Sequence, residues 1–324
     1  MINLAIIGLG KWGETLVKSV NFKSKTVKFT SVISRRPEKI KKNLDKYNLV
    51  AYKNIEKLLN ERRIDGIVLC TPHSSHEEQI KNLVKYKKPI FVEKPLALNT
   101  KSAKKIIEIC KENKILLAIG QNRRFLETFI FLKKQITNKK IGKIVHMEGS
   151  FSGKSSFKSN EKSWRNKISE TPLGGMTGKG IHLTDLMINL NGKVKTVLAR
   201  SKRILKESTL DDLTDLIVEF NNGATGYLST VLATTKYWEL KVFGSNGWIK
   251  IFDEKEIMQK IGNKNIEQIS LRFNDIEKKE LEEFGKCIKF NRKFPVSLDE
   301  VLENTKLFEA CIKSKKNNSK LIRL

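Results

Sequence analysis

The chain opens on Leu4-Ala5-Ile6-Ile7 and turns at once through Gly8-Leu9-Gly10-Lys11-Trp12-Gly13 into a segment that carries Leu16, Val17 and Val20. A compact apolar run reads as a strand covered on both faces, and the following spacing reads as an amphipathic helix. Glycines at this spacing have separate tasks. The first makes a tight turn, the second lets backbone approach a pyrophosphate, and the third lets helix pack on strand, with the helix N-terminus facing the phosphates. The alternative is a glycine turn that serves packing alone.

The alternation continues through residue 121. Strands are expected at Val27 to Ile33, Gly66 to Thr71, Ile90 to Val92 and Ile115 to Ile119, with helices at Pro37 to Tyr47, Glu78 to Tyr86 and Lys101 to Asn113, the last capped by Thr100. This order predicts a doubly wound parallel sheet, a Rossmann domain over residues 1–121. Where the second strand ends, an acidic residue would take the ribose hydroxyls of NAD. The chain instead reads Ser34-Arg35-Arg36-Pro37. Two guanidiniums and no carboxylate suit a 2′-phosphate, so NADP(H) is favoured, with NAD(H) the alternative; otherwise the arginines are solvated residues ahead of a helix.

Thr71-Pro72-His73-Ser74-Ser75-His76 follows the third strand, and Ser75 with Glu78 is expected to form a capping box. His76 is then either a first-turn helix residue or a group running along the cofactor. The fourth strand stops at Glu93-Lys94-Pro95, where Pro95 biases Lys94 to extended backbone and ends the ladder. A strand terminus in a parallel sheet is where ligands sit, although an ordinary strand exit with solvated charges has the same local pattern.

Beyond Gln121 the texture changes. A helix at Phe129 to Ile136 precedes strands at Ile144 to Phe151, Thr196 to Ser201, Leu216 to Phe220 and Ala224 to Leu232, then a hairpin joining Leu240 to Phe243 with Trp248 to Ile251. Gly244-Ser245-Asn246-Gly247 supplies its turn, and Leu298 to Ile312 forms a closing helix. Residues 122–324 are thus expected to build an α/β domain with a large, mostly antiparallel open sheet, helices on one face and an oligomer surface on the other.

Composition matters chiefly through charge: 63 Lys and Arg against 35 Asp and Glu give +28. Such a balance attracts nucleic acid or anionic membranes in general. Here the lysines lie along helix faces, as Lys101, Lys104, Lys105, Lys111 and Lys114 do opposite Ala103, Ile106, Ile107 and Cys110, and no Arg-rich tail or zinc-finger spacing is present. No nucleic acid partner is expected. The four cysteines are far apart without a Cys-x-x-Cys, so neither a disulfide framework nor a metal site is expected. The N-terminus lacks a basic n-region and a cleavage site, and no apolar run nears about 18 residues, so a cytoplasmic protein without membrane attachment is expected.

The ordered set of Gly8 to Gly13, Thr71-Pro72, Glu93-Lys94-Pro95, Asn122-Arg123-Arg124-Phe125, Trp164-Arg165 and Gly180-Ile181-His182-Leu183-Thr184-Asp185 resembles the glucose-fructose oxidoreductase, inositol dehydrogenase and MocA family over nearly the whole chain. Pro295-Val296-Ser297 ahead of the last helix resembles the family ending too. The resemblance implies hydride transfer between NAD(P) and a sugar, polyol or related carbohydrate by a homodimer or homotetramer. It implies that Lys94 contacts the nicotinamide ribose and the reacting oxygen, and that His182 transfers the proton. Cofactor contacts are expected from Gly8, Gly10, Lys11, Trp12, Gly13, Ser34, Arg35, Arg36, Thr71, Pro72, His76, Glu93 and Lys94. Substrate contacts are expected from Asn122, Arg123, Trp164, Arg165, Thr177, His182 and Asp185.

One position departs from the family pattern. Members commonly carry Asp-x-Gly-x-His, whereas this chain reads Gly178-Lys179-Gly180-Ile181-His182. The carboxylate that would tune Lys94 and His182 is absent. Substrate or Asp185 replaces it, or a sparser Lys-His pair works with Thr177 positioning substrate, or catalysis is lost and a dinucleotide-binding regulatory protein remains.

Overall fold

The computed structural model describes residues 1–154 and 163–324, which fall into two compact units. The first comprises Met1–Ala97, Lys101–Asn122 and Asp275–Ser297. Its strands and helices run β1 Ile2–Ile7, α1 Lys11–Val20, β2 Val27–Ile33, α2 Lys41–Tyr47, β3 Val50–Tyr52, α3 Ile55–Glu61, β4 Gly66–Leu69, α4 His76–Leu83, β5 Ile90–Glu93, α5 Thr100–Glu112 and β6 Leu117–Gly120. The strands lie in the order β3-β2-β1-β4-β5-β6 and every pair is parallel. All four residues of β4, of β5 and of β6 are buried, as continuous apolar strands covered on both faces require. Strand order reverses between β1 and β4, so their carboxyl ends flank the switch point at which such sheets bind ligands.

The second unit comprises Leu98–Thr100, Arg123–Asn274 and Leu298–Leu324. It holds α6 Glu127–Thr137, β7 Ile144–Ser152, α7 Ile181–Asn191, β8 Val194–Lys202, β9 Leu213–Phe220, β10 Thr225–Val231, β11 Tyr237–Gly244, β12 Gly247–Phe252, β13 Glu256–Ile261 and β14 Glu267–Ser270. The chain then runs through α8 Ile276–Phe290, α9 Leu298–Lys316 and β15 Ile322–Arg323. Nine strands form one sheet, ordered β14-β13-β12-β11-β7-β10-β9-β8-β15. Among the described residues, only β7 and β10 of this sheet pair in parallel. Ser245 and Asn246 close the β11–β12 hairpin at the expected turn.

Helix α8 corrects the expectation of a second domain running unbroken from 122 to 324. It belongs to the first unit and packs against α1, β1 and β2. Phe284 and Ile288 reach the space that Gly66 leaves beside them, and the Phe91 ring lies 5.6 Å from Phe284 and 6.2 Å from Phe294. Ser24 Oγ donates to Glu282 at 2.7 Å from the same helix. Ile276, Leu281, Phe284 and Cys287 are its buried stripe, but the intervening Lys-Lys-Glu-Leu-Glu-Glu run makes that stripe hard to see in the sequence. Among the described residues, no helix is long and apolar enough to cross a membrane.

Candidate functional site

In the first unit the glycine turn is shaped by steric exclusion. Gly8 has φ +99°, and a Cβ there would strike the Cys70 carbonyl beyond β4. A Cβ on Gly13 would strike the Gly8 carbonyl oxygen. Glycine is required at both places, once for backbone conformation and once for the close approach of helix and turn. Gly10 is the opposite case: it is exposed, and a Cβ would meet nothing within 4 Å among the described residues. It caps α1 in extended conformation without a side-chain hydrogen bond, so the cap residue itself leaves the first backbone amides of α1 uncovered. A bare backbone turn leading into a helix N-terminus fits the pyrophosphate of a dinucleotide. Lys11 is exposed beside it, while the Trp12 indole nitrogen is buried there with no hydrogen-bond partner among the described residues.

Ser34 follows β2, donates its backbone N–H to the Tyr52 carbonyl at 2.9 Å and accepts the Arg36 N–H on its hydroxyl at 3.2 Å. Arg35 and Arg36 are exposed at this strand end. After β4, Ser75 does not form the expected capping box: it is itself helical in φ and ψ and makes no side-chain cap. Its hydroxyl donates to the Pro72 carbonyl at 2.6 Å, which tightens the turn that carries Thr71 and Pro72. Thr71 in turn donates to Gln79 at 2.6 Å.

His76 is fully buried, with Nδ1 3.1 Å from the Leu96 carbonyl and Nε2 3.3 Å from the Thr71 carbonyl. It therefore ties the loops after β4 and β5. The second of those loops holds Glu93-Lys94-Pro95. Glu93 is the buried last residue of β5, opposite Gly120 in register, while Lys94 is half-buried beyond it and joined to Pro95 by a cis peptide. The sheet and the His76 tie thus position Lys94 at a carboxyl strand end.

In the second unit a π-helical turn, Met176–Gly180, runs into α7 and puts His182 in its first turn. Asn304 of α9 clamps this start: it accepts the Thr184 hydroxyl at 2.7 Å and donates to the Ile181 carbonyl at 3.1 Å. His182 is 4% exposed, and its ring lies 6.1 Å from that of Phe151 at the end of β7. The same phenyl ring sits below Arg123, 5.2 Å away, and Lys179, 5.1 Å away. Arg123 also donates to Glu254 at 2.8 Å, and Glu254 receives Lys236 at 3.4 Å. Gly178 is exposed, and a Cβ there would meet nothing within 4 Å among the described residues.

Three expected substrate contacts are turned elsewhere. Both Asp185 oxygens accept from Arg124 at 2.7 Å, and Arg124 also donates to Glu300 at 2.5 Å. Asp185 is 1% exposed, so it anchors Arg124 instead of replacing the carboxylate missing at position 178. Burial opposes the Arg124 charge, but the Asp185 and Glu300 carboxylates outweigh it and raise its pKa. Thr177 is buried and accepts the Leu173 N–H at 3.4 Å, an internal loop contact. Asn122 is buried in the first unit and donates to Glu277 of α8 at 2.9 Å. Trp164 and Arg165 form a short 3-10 turn in which the guanidinium lies 4.4 Å from the indole of its own neighbour. Phe151, Lys179, Glu254 and Asn304 escaped sequence reasoning, because what marks them is a partner distant in the chain.

Residues 2–121 match the model of the oxidoreductase family with NAD-binding Rossmann fold, and residues 129–250 match that of the GFO/IDH/MocA C-terminal domain. An uncharacterized protein of Saccharomyces cerevisiae is 29% identical over 221 residues, which take in 65% of this chain and 62% of that protein. The scyllo-inositol 2-dehydrogenase (NAD(+)) of Bacillus subtilis is 26% identical over 317 residues, covering 92% of this chain and 89% of its own length. The crystal structure of aldose-aldose oxidoreductase from Caulobacter crescentus, complexed with glycerol, shares the fold with a TM-score of 0.89 at 19% identity, covering 100% of this chain and 99% of that one.

Proposed function

The chain belongs to the GFO/IDH/MocA oxidoreductase family, and on that footing we propose that it is an NAD(P)-dependent dehydrogenase or reductase acting on a CH–OH group of a sugar, polyol or sugar derivative. The glycine cradle carries the assignment, since Gly8 and Gly13 exclude any side chain while Gly10 leaves the helix N-terminus open. The Bacillus subtilis inositol dehydrogenase, similar over most of both chains, supports a polyol-like substrate. When bound, the nicotinamide supplies the hydride acceptor or donor.

The chain's own residues manage the proton and the charge. Oxidising an alcohol requires a proton acceptor at the hydroxyl while hydride leaves the same carbon, and imidazole as a class titrates near neutral pH. His182 takes that role, held at the start of α7 by the Asn304 clamp. Lys94 supports the developing alkoxide with its ammonium group. Arg35 and Arg36, exposed at the end of β2 with no carboxylate beside them in sequence, select NADP(H) through its 2′-phosphate.

A cofactor-by-substrate screen of sugars, polyols and their acids, repeated on Lys94→Ala and His182→Ala, tests the mechanism. Each variant is expected to lose about 100-fold or more in kcat, the usual scale for removing a general acid-base group. Undiminished turnover by either would remove that residue from the chemistry. Replacing Arg35 and Arg36 together by Ala should weaken NADP(H) more than NAD(H), and equal losses would refute the 2′-phosphate role. Glycine at position 178, where the family commonly carries a carboxylate, favours a second reading, a dinucleotide-binding regulator without catalysis. Cofactor binding with no turnover across the screen would establish it.

A further inference from the structure

The carboxyl end of β2 lies beside that of β3, the edge strand of the first sheet. Their parallel register pairs Ser31 with Val50, Val32 with Ala51 and Ile33 with Tyr52. The ladder runs one step past β2, because the Ser34 N–H donates to the Tyr52 carbonyl at 2.9 Å. Lys53 follows Tyr52 as Ser34 follows Ile33, so the two stand side by side where the sheet ends, on chains about 5 Å apart. Arg35, Arg36 and Lys53 are all exposed at this corner. Among the described residues, no carboxylate lies within ion-pair distance of any of them. Glu56, just beyond Lys53, accepts from Tyr86 and from Lys85 at 3.5 Å, and Glu14 of α1 accepts from Tyr47 at 3.1 Å and Lys46 at 3.3 Å. Glu38, exposed on the short 3-10 turn that Pro37 opens, reaches none of the three cations. Ser34 adds a directional group: its oxygen accepts the Arg36 N–H at 3.2 Å, and a serine hydroxyl that accepts one bond still carries a donor.

We propose that Lys53 is a specificity-determining residue for the cofactor: with Ser34, Arg35 and Arg36 it takes up the 2′-phosphate of NADP(H), supplying the cation on the β3 side of that group. The inference rests on the NADP(H) reading given above and extends its site to a second strand end. A phosphate monoester carries about −1.5 to −2 charge at neutral pH, so a cation from the neighbouring strand adds to the pairing that the two guanidiniums offer. NAD(H), with a hydroxyl at the same position, gains nothing from Lys53.

The test measures binding directly, by calorimetry, of NADPH, NADH, 2′,5′-ADP and 5′-AMP to the full-length wild-type chain, to Lys53→Met, to Lys53→Arg and to the variant with both Arg35→Ala and Arg36→Ala. Lys53→Met should weaken NADPH and 2′,5′-ADP about three- to tenfold, the scale of one charge-assisted contact at an exposed site, while NADH and 5′-AMP change by less than about twofold. Lys53→Arg should stay within about twofold of wild type for all four ligands, since it keeps the charge. Equal losses for ligands with and without the 2′-phosphate in Lys53→Met, or no loss, would overturn the inference; so would a loss in Lys53→Arg as large as that in Lys53→Met. If the double arginine variant alone loses NADPH selectively, the NADP(H) reading stands without Lys53. If wild type binds 2′,5′-ADP no more tightly than 5′-AMP, the reading and the inference fall together.

Discussion

Arg124 and Lys179 belong to the same unit and are both withdrawn from water, yet their surroundings are opposite. Arg124 lies between Asp185 and Glu300 and ties the segment after β6 to α7 and α9. Lys179 meets an aromatic face and two further cations. A buried charge that is fully paired holds elements together, and its removal strands its partners. A half-buried charge with no carboxylate within ion-pair distance among the described residues lowers stability instead. The contrast separates a cation that holds elements together from one that the fold carries at a cost.

The comparison breaks most visibly in stability. Arg124→Met leaves Asp185 buried and uncompensated, and should cost about 3–5 kcal/mol, read as a lower denaturant midpoint in urea. A loss close to zero would show that the Arg124 cluster is not structural. Lys179→Met should act in the opposite direction, with a modestly higher Tm than the wild-type chain at neutral pH. Burial first, and the Arg123 and Lys236 charges second, lower the Lys179 pKa from 10.5. The folded state therefore releases this proton before the unfolded state does, so wild-type stability rises with pH across that window. The Tm advantage of Lys179→Met should be full below the lowered pKa and shrink as pH rises through it toward 10.5. A gap independent of pH, or a variant less stable than wild type, would mean that Lys179 contributes packing rather than an uncompensated charge.

Much of the first unit could be read locally because its signals are local. The Gly8 to Gly13 spacing, the continuous apolar strands and Pro95 act through their immediate neighbours, and the parallel order of β1, β4 and β5 follows from them. The β11–β12 hairpin was legible for the same reason. The second unit's site was less so. Asp185 lies one turn beyond His182, which made it a plausible partner for substrate, but Arg124 reaches it across 61 positions of sequence. Ser75 and Glu78 have capping-box spacing and α4 does begin at His76, but Ser75 is already helical in φ and ψ and its hydroxyl turns back to Pro72. Lys179 reads as one more solvated lysine in a chain with 63 basic residues, until Phe151 and Arg123 are seen beside it.

The return of α8 to the first unit bears on how the chain is made. Domains generally fold as units while the polypeptide is still emerging. The cofactor-binding half cannot follow that course to completion at residue 121, because the side chains that cover Gly66 and Phe91, namely Phe284, Ile288 and Phe294, lie more than 150 residues further along the chain. Until they arrive, part of the apolar surface around β1, β4 and β5 has no cover, and nearly the whole second sheet has been translated in the meantime. The two halves are thus joined in time as well as in sequence: the nucleotide fold is begun before the second sheet and completed after it.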